Sequence, residues 1–301
     1  MQKYETTPRW YPEFWGHPYR RVLLRRQTPL RQKTLRGRQI LLLSRPRRFG
    51  KSLFLDTLRQ AFLARKELFR GLFLENNWDW KTRYPVIYIS FGAGGIKDTA
   101  HLQARIRELL ARHETRHNVS LSSETIEEKF EELVIKLAEK FGHKVVILID
   151  EYDKPILDNI ECPETATEIR EALKNFYSVI KDADPYLKFC FITGVTKFSK
   201  VSLFSGLNNL KDLTIHPSYA TICGYTQEEF ETVFAERLDG VDPELVRRWY
   251  NGYSWLGEPV YNPFDILLYL DAKLFRPYWF ETGTPSFLIK LLQQKRYFIL
   301  R

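Results

Sequence analysis

The sequence predicts an α/β fold, a parallel β-sheet flanked by helices and followed by a small helical, winged-helix-like subdomain. Three observations carry that expectation. Short apolar runs alternate with amphipathic helical stretches from residue 40 to about 194. The run KVVILID (144–150) is apolar on both faces, as a central parallel strand must be. After about residue 224 the alternation stops and only short helical patterns follow. The expected organisation is an atypical basic segment over 1–38, a core over 39–223 and a helical subdomain over 224–301.

Each element has a local reason. Residues 40–44, ILLLS, form a short buried strand, and a helix from about Lys51 to Arg65 carries Leu53, Leu55, Leu58 and Phe62 on one face. YPVIYISFG (84–92) is β-branched and aromatic, so it reads as a second strand. Helices are expected at roughly 100–116 and 124–141, then the strand 144–150, a helix at about 164–183 and the strand LKFCFITG (187–194). Strands and helices alternating at this spacing imply right-handed parallel crossovers. Thr226 followed by Glu229 marks a helix start. Two more short helices are expected within 242–253 and 262–274, with no internal repeat anywhere.

Composition bounds the class. The chain has 301 residues, 44% of them hydrophobic and 15% aromatic, enough for a substantial core. No run approaches the ~18 uncharged apolar residues of a membrane span, and the N-terminus has no secretory apolar run. A cytoplasmic location without membrane association is therefore expected. Cys162, Cys190 and Cys223 are far apart and are expected as reduced thiols. On that reading the sequon at Asn118 is a coincidence. Charge is uneven: residues 1–52 carry a net +12 and the remainder a net −3, against +9 overall.

The chemistry gathers at two strand ends. After the first strand comes Arg45-Pro46-Arg47-Arg48-Phe49-Gly50-Lys51-Ser52, leading into a helix. Gly50, Lys51 and Ser52 match the second half of a P-loop, in which backbone N–H groups and a helix N-terminus cradle phosphates. There the lysine meets the β- and γ-phosphates and the hydroxyl meets magnesium. Arg45 stands where the first glycine of the usual pattern belongs, and a Cβ costs energy wherever φ is positive. The run VVILIDEYD ends in Asp150-Glu151, a Walker B arrangement. Asp150 would hold Mg²⁺ there, and Glu151 would orient and deprotonate the attacking water. Thr193 and Thr196, with Lys197 and Lys200 behind them, are candidates for sensing the γ-phosphate. Arg47 and Arg48 are either phosphate contacts or a solvated edge, and Arg247 and Arg248 are candidate finger residues.

LSRPRRFGKSLFLDTLRQAF, VVILIDEYDKPI, FCFITGVTKFSKVSLFSGLNNLKDLTI, YATICGYTQEEF and VYNPFDILLYL with YWFETGTPSFLIKLL together resemble the AAA-ATPase-like family of predicted P-loop ATPases, over about 40–293. The family loop is similar to SRPRRFGKS, so the resemblance makes Arg45 the ordinary first residue. It implies ATP and Mg²⁺ as ligands, Lys51 and Ser52 as phosphate and magnesium residues, and Asp150 with Glu151 as the Walker B pair. Members often continue into a PD-(D/E)xK nuclease-like domain. This chain stops soon after FLIKLL, so that activity is expected to be absent.

The segment before residue 40 departs from the family, whose members have Tyr-Val-Asp-Lys-Thr there. Leu24-Arg25-Arg26-Gln27 can be encoded CTA-CGT-CGA-CAA, which one base over reads Tyr-Val-Asp and the start of Lys. Out-of-frame translation up to about residue 38 is therefore expected. If no frame of the gene restores Tyr-Val-Asp-Lys, the segment reverts to a basic arm suited to nucleic acid.

Two competing readings stand beside the ATPase. HETRH (113–117) fits the H-E-x-x-H zinc pattern, but at the polar end of a helix and without a third histidine at the usual spacing. A nucleotide-gated switch or DNA-associated scaffold with little turnover would share every phosphate-binding residue. The biological partner, protein or nucleic acid, is not legible, and an oligomer is left open.

Overall fold

The computed structural model describes residues 40–196, 203–204, 207 and 209–283. The basic segment 1–38, Lys197 and Lys200 lie outside them. The elements run β1 (Ile40–Ser44), α1 (Lys51–Phe62), α2 (Leu74–Asn77), β2 (Val86–Ser90), α3 (Thr99–His117), α4 (Ile126–Phe141), β3 (Val145–Asp150), α5 (Lys154–Leu157), α6 (Pro163–Asp182), β4 (Leu187–Gly194) and β5 (Leu210–Asp212). They end with α7 (Gln227–Val233), α8 (Pro243–Tyr250), α9 (Pro263–Ala272) and α10 (Tyr278–Gly283).

Among the described residues the five strands of the sheet are all parallel, in the order β2-β3-β4-β1-β5. Because β4 lies between β1 and β3, the ends of all three converge at the carboxyl rim, where α/β sheets bind ligands. The pleat sorts the side chains. Ile87, Ile89, Ile147, Ile149, Cys190 and Ile192 pack under α3, α4 and α6. Leu41, Leu43, Val86, Leu148 and Phe191 pack under Phe54, Leu55 and Leu58 of α1, with Tyr219, Ile222 and Val260 from later in the chain. Every residue of β3 is buried, which explains its unbroken apolar reading.

Caps fix the helix ends. Thr125 with Glu128 and Thr226 with Glu229 each form a reciprocal capping box, the second at the position its spacing predicts. Asn118 closes α3 in the left-handed conformation, a role for which Asn is suited. After residue 224, Tyr225, Phe230, Tyr250, Tyr261, Ile266 and Tyr269 form an apolar cluster of their own. Single antiparallel bridges join Tyr225 to Tyr261 and Tyr253 to Val260. Among the described residues no disulfide joins the three cysteines; Cys190 and Cys223 are buried and Cys162 is exposed.

Candidate functional site

The loop from Arg45 to Ser52 turns the chain from the end of β1 into α1. Gly50 precedes the helix at φ 78°, where a side chain is disfavoured, and neither a capping side chain nor an acid occupies the first turn. An uncapped helix N-terminus presents N–H groups and a positive dipole end, the setting an anion prefers. Ser52 is exposed there. Lys51 is buried, and its Nζ donates to the carbonyls of Arg45 and Pro46, each at 2.9 Å. Burial pushes its ammonium below the usual lysine range, and the charges of Asp150 and Asp153 oppose that shift.

Arg45 takes its place in the loop without strain and without facing its mouth. The left-handed residues of the loop are Arg48 (φ 67°) and Gly50, so no positive-φ cost falls on Arg45. Its guanidinium is also turned away from the loop mouth. It donates to the carbonyls of Ser44, Thr214, Tyr219, Ala220 and Ile222 and lies 4.0 Å from the centre of the Trp255 ring. Burial lowers its pKa to about 10. Only the Arg45 backbone remains to meet a ligand.

The rest of the loop is gripped, by side chain or backbone, by the later part of the chain. Arg48 lies over Phe264 at 5.0 Å, and fully buried Phe49 packs edge-on against Tyr253 and Trp255. The Trp279 indole N–H donates to the Arg47 carbonyl at 2.9 Å. Trp279 is in turn set by its backbone N–H, which donates to Asp265 Oδ1 at 2.7 Å. Arg247 and Arg248 lie exposed on α8, Arg247 beside Glu244 at 3.5 Å.

Opposite the loop, Asp150 ends β3 on the α1 side of the sheet. The Thr193 hydroxyl donates to its Oδ1 at 2.6 Å, and the Tyr88 hydroxyl to its Oδ2 at 3.3 Å. Glu151 follows in the left-handed region at φ 54°, backbone strain of the kind that collects at functional sites. Burial raises its pKa, the neighbouring charge of Asp150 adds to this, and Lys51, Lys154 and Arg47 oppose it. A carboxylate, an exposed hydroxyl and an uncapped helix end suit a hydrated magnesium ion carried by a nucleotide.

Thr196 is a structural hub. Its N–H and hydroxyl donate to Asp153, while its carbonyl accepts from the Tyr152 and Ser44 hydroxyls. Asp153, fully buried, also accepts from the Val195 N–H. Gly194 makes this contact possible, because a Cβ there would sit 2.4 Å from the Tyr152 ring and 2.8 Å from Asp153 Oδ1. Thus Thr193 steadies Asp150, and Thr196 ties Asp153 to the end of β1. Sequence reasoning missed Tyr88 and Asp153. The third acid of DEYD was a signal for Asp153, whereas Tyr88 needed the strand order.

HETRH serves the sheet edge. β2 is an outer strand, and His113 Nε2 meets the backbone N–H and carbonyl of Tyr88 at 3.2 and 3.0 Å. Among the described residues no third histidine, cysteine or carboxylate completes a metal-binding group. Burial lowers the His113 pKa to about 4 from 6.5. A depressed histidine means that the unfolded chain binds the proton first. The resulting stability is complete above about pH 6.5 and falls as pH drops towards 4, by on the order of 3 kcal/mol. Urea midpoints at pH 7 and pH 4.5 are expected to show that loss, and His113→Gln to reduce the difference between them.

The comparisons with known proteins agree with this geometry. A family model described as a predicted AAA-ATPase matches residues 27–204, so the match begins inside the arginine-rich segment. A protein of Azotobacter chroococcum mcd 1, described as an uncharacterized protein in the vnfD 5' region, is 53% identical over 256 residues. The alignment covers 85% of this chain and 50% of that protein, so the chain spans about half the length of the curated relative it matches. With a five-stranded parallel sheet, a glycine-lysine-serine turn at an open helix end and a family match across more than half its length, the chain belongs to the AAA-ATPase-like family of predicted AAA-type ATPases.

Proposed function

We propose that the chain binds Mg-ATP on the 45–52 loop and hydrolyses it to ADP and phosphate. The observation that carries the reading is that β1 and β3 flank β4, which brings the 45–52 loop with buried Lys51 and the Asp150-Glu151 pair to the same rim of the sheet. In this reading the backbone of 45–50 and the first turn of α1 hold the β-phosphate, and Lys51 leaves its two carbonyls to meet the β- and γ-phosphates. Ser52 and Asp150 would hold the magnesium ion, which would supply neutralising charge for the phosphates. Glu151 orients a water for in-line attack and takes its proton, while Thr193 keeps Asp150 in position.

The grip on the loop supports a coupling. Residues 39–223 act as the core, and residues 224–301 as a helical unit whose position follows the nucleotide. The contacts of Trp255, Phe264 and Trp279 with Arg45, Arg48 and Arg47 carry the movement. The same contacts suit a slow nucleotide-gated switch, on DNA or on a protein partner, so turnover is what separates the two. No described helix is long and apolar enough to cross a membrane.

Calorimetric titration with Mg-ATP and Mg-GTP, beside Lys51→Ala, tests the reading. Micromolar ATP binding that disappears in Lys51→Ala is the expected result. Equal binding by the two proteins, or none by either, would overturn it.

A further inference from the structure

Tyr88 occupies a place in the site that its sequence context did not announce. The β2–β3 register sets Ser90 opposite Asp150 and Tyr88 opposite Leu148. Tyr88 is therefore the diagonal neighbour of Asp150, two residues short of the rim, and long aromatic side chains reach across that diagonal. Val86 and Leu148 face α1, and the period-2 pleat puts Tyr88, Asp150 and, across β4, Thr193 on that same side.

The phenol is fixed from several directions. Its hydroxyl donates to Asp150 Oδ2, the Arg59 guanidinium of α1 lies 5.7 Å from its ring centre, and His113 Nε2 holds its backbone from outside the sheet. An ordinary phenol keeps its proton at neutral pH and a carboxylate oxygen can only accept, so the Tyr88 hydroxyl is the donor in this bond. Thr193 occupies Oδ1, and Tyr88 occupies Oδ2.

We infer that Tyr88 is a positioning residue for the divalent cation that accompanies the nucleotide. Clamped by one hydroxyl on each oxygen, Asp150 keeps a single carboxylate plane, and its remaining lone pairs meet the hydrated cation in one direction. Thr193 sits on the adjacent strand and Tyr88 on the opposite neighbour, so the clamp spans β2, β3 and β4. Hydrogen-bond partners behind a metal-binding group commonly change metal affinity by about 10–100-fold when removed. The longer Tyr88 bond places its effect at the low end.

The inference rests on the Mg-ATP reading, and its test separates the two. Tyr88→Phe keeps the ring under α1 and removes only the donor. ATP binding would be titrated by calorimetry in EDTA and then across a series of Mg²⁺ and Mn²⁺ concentrations, for the wild type, Tyr88→Phe and Thr193→Val. Affinity in EDTA is expected to stay within about twofold of wild type. The Mg²⁺ concentration giving half the metal-dependent gain is expected to rise about tenfold in Tyr88→Phe, and in the same direction in Thr193→Val. A role in packing alone would leave that midpoint where it was. Wild-type binding with an unchanged Tyr88→Phe metal curve overturns the clamp and spares the nucleotide reading. Absence of binding by the wild type overturns both.

Discussion

Glu151→Gln is expected to lower ATP turnover by about 10²–10⁴-fold, the usual contribution of a positioned general base, while leaving Mg-ATP affinity close to wild type. Glutamine keeps the size and the hydrogen-bonding reach of the side chain, so the left-handed turn at 151 and the neighbouring Asp150 are undisturbed. The pH profile gives a second readout. Burial raises the Glu151 pKa, so the basic form that the proposed role requires appears at a higher pH than for an ordinary glutamate. Turnover by the wild type is expected to climb with pH through that raised value, and the climb is expected to vanish in Glu151→Gln. Steady-state phosphate release at pH 5 to 8 with saturating Mg-ATP checks both points. A variant with undiminished turnover would place the base elsewhere. A wild type that binds ATP and releases almost no phosphate would favour the switch reading instead.

Arg45→Ala is expected to be the most destabilising single change in the loop. Arg45 is 1% exposed, and its guanidinium satisfies carbonyls from Ser44 and from the 214–222 stretch. Removal leaves buried acceptors without donors and opens a cavity against Trp255, a loss on the order of 4 kcal/mol. Native domains are stable by only about 5–15 kcal/mol, so this is a large fraction of the total. The midpoint of thermal unfolding is expected to fall by roughly 10 °C. Arg45→Lys retains the charge but not the planar fork that reaches several carbonyls, and an intermediate loss is expected. Thermal unfolding followed by circular dichroism would decide. An unchanged midpoint would show that the carbonyls find other donors.

Much of the fold was legible because its strongest signals are local. Buried parallel strands read as continuous apolar runs, and β1, β3 and β4 fall within a residue of their expected limits. The main helices were legible from their apolar faces and their caps. β5 was not, because Leu210-Lys211-Asp212 is three residues long, largely polar and at an edge. It pairs with β1 only because the chain returns there after β4.

At the site, Gly50, Lys51, Ser52, Asp150 and Glu151 declare themselves by position along the chain. What Arg45 and Tyr88 do depends on contacts more than 60 residues away in sequence. An arginine in a phosphate loop reads naturally as a phosphate ligand. Only the packing of 214–222 and Trp255 around it reveals a buried cross-link. Thr193 and Thr196 were visible as polar strand-end residues, but their hydroxyls are already engaged by Asp150 and Asp153.

The aromatic grip on the loop also makes the protein its own optical probe. The chain has seven tryptophans. Trp255 stacks on a loop guanidinium and Trp279 bonds a loop carbonyl, whereas Trp80 packs on Phe69 and Trp78 on Phe62 at the far end of α1. Indole emission responds to a nearby cation and to the polarity around its N–H. With the other tryptophans replaced by phenylalanine, the colour and lifetime of the remaining fluorescence would follow the loop in real time, without any attached dye.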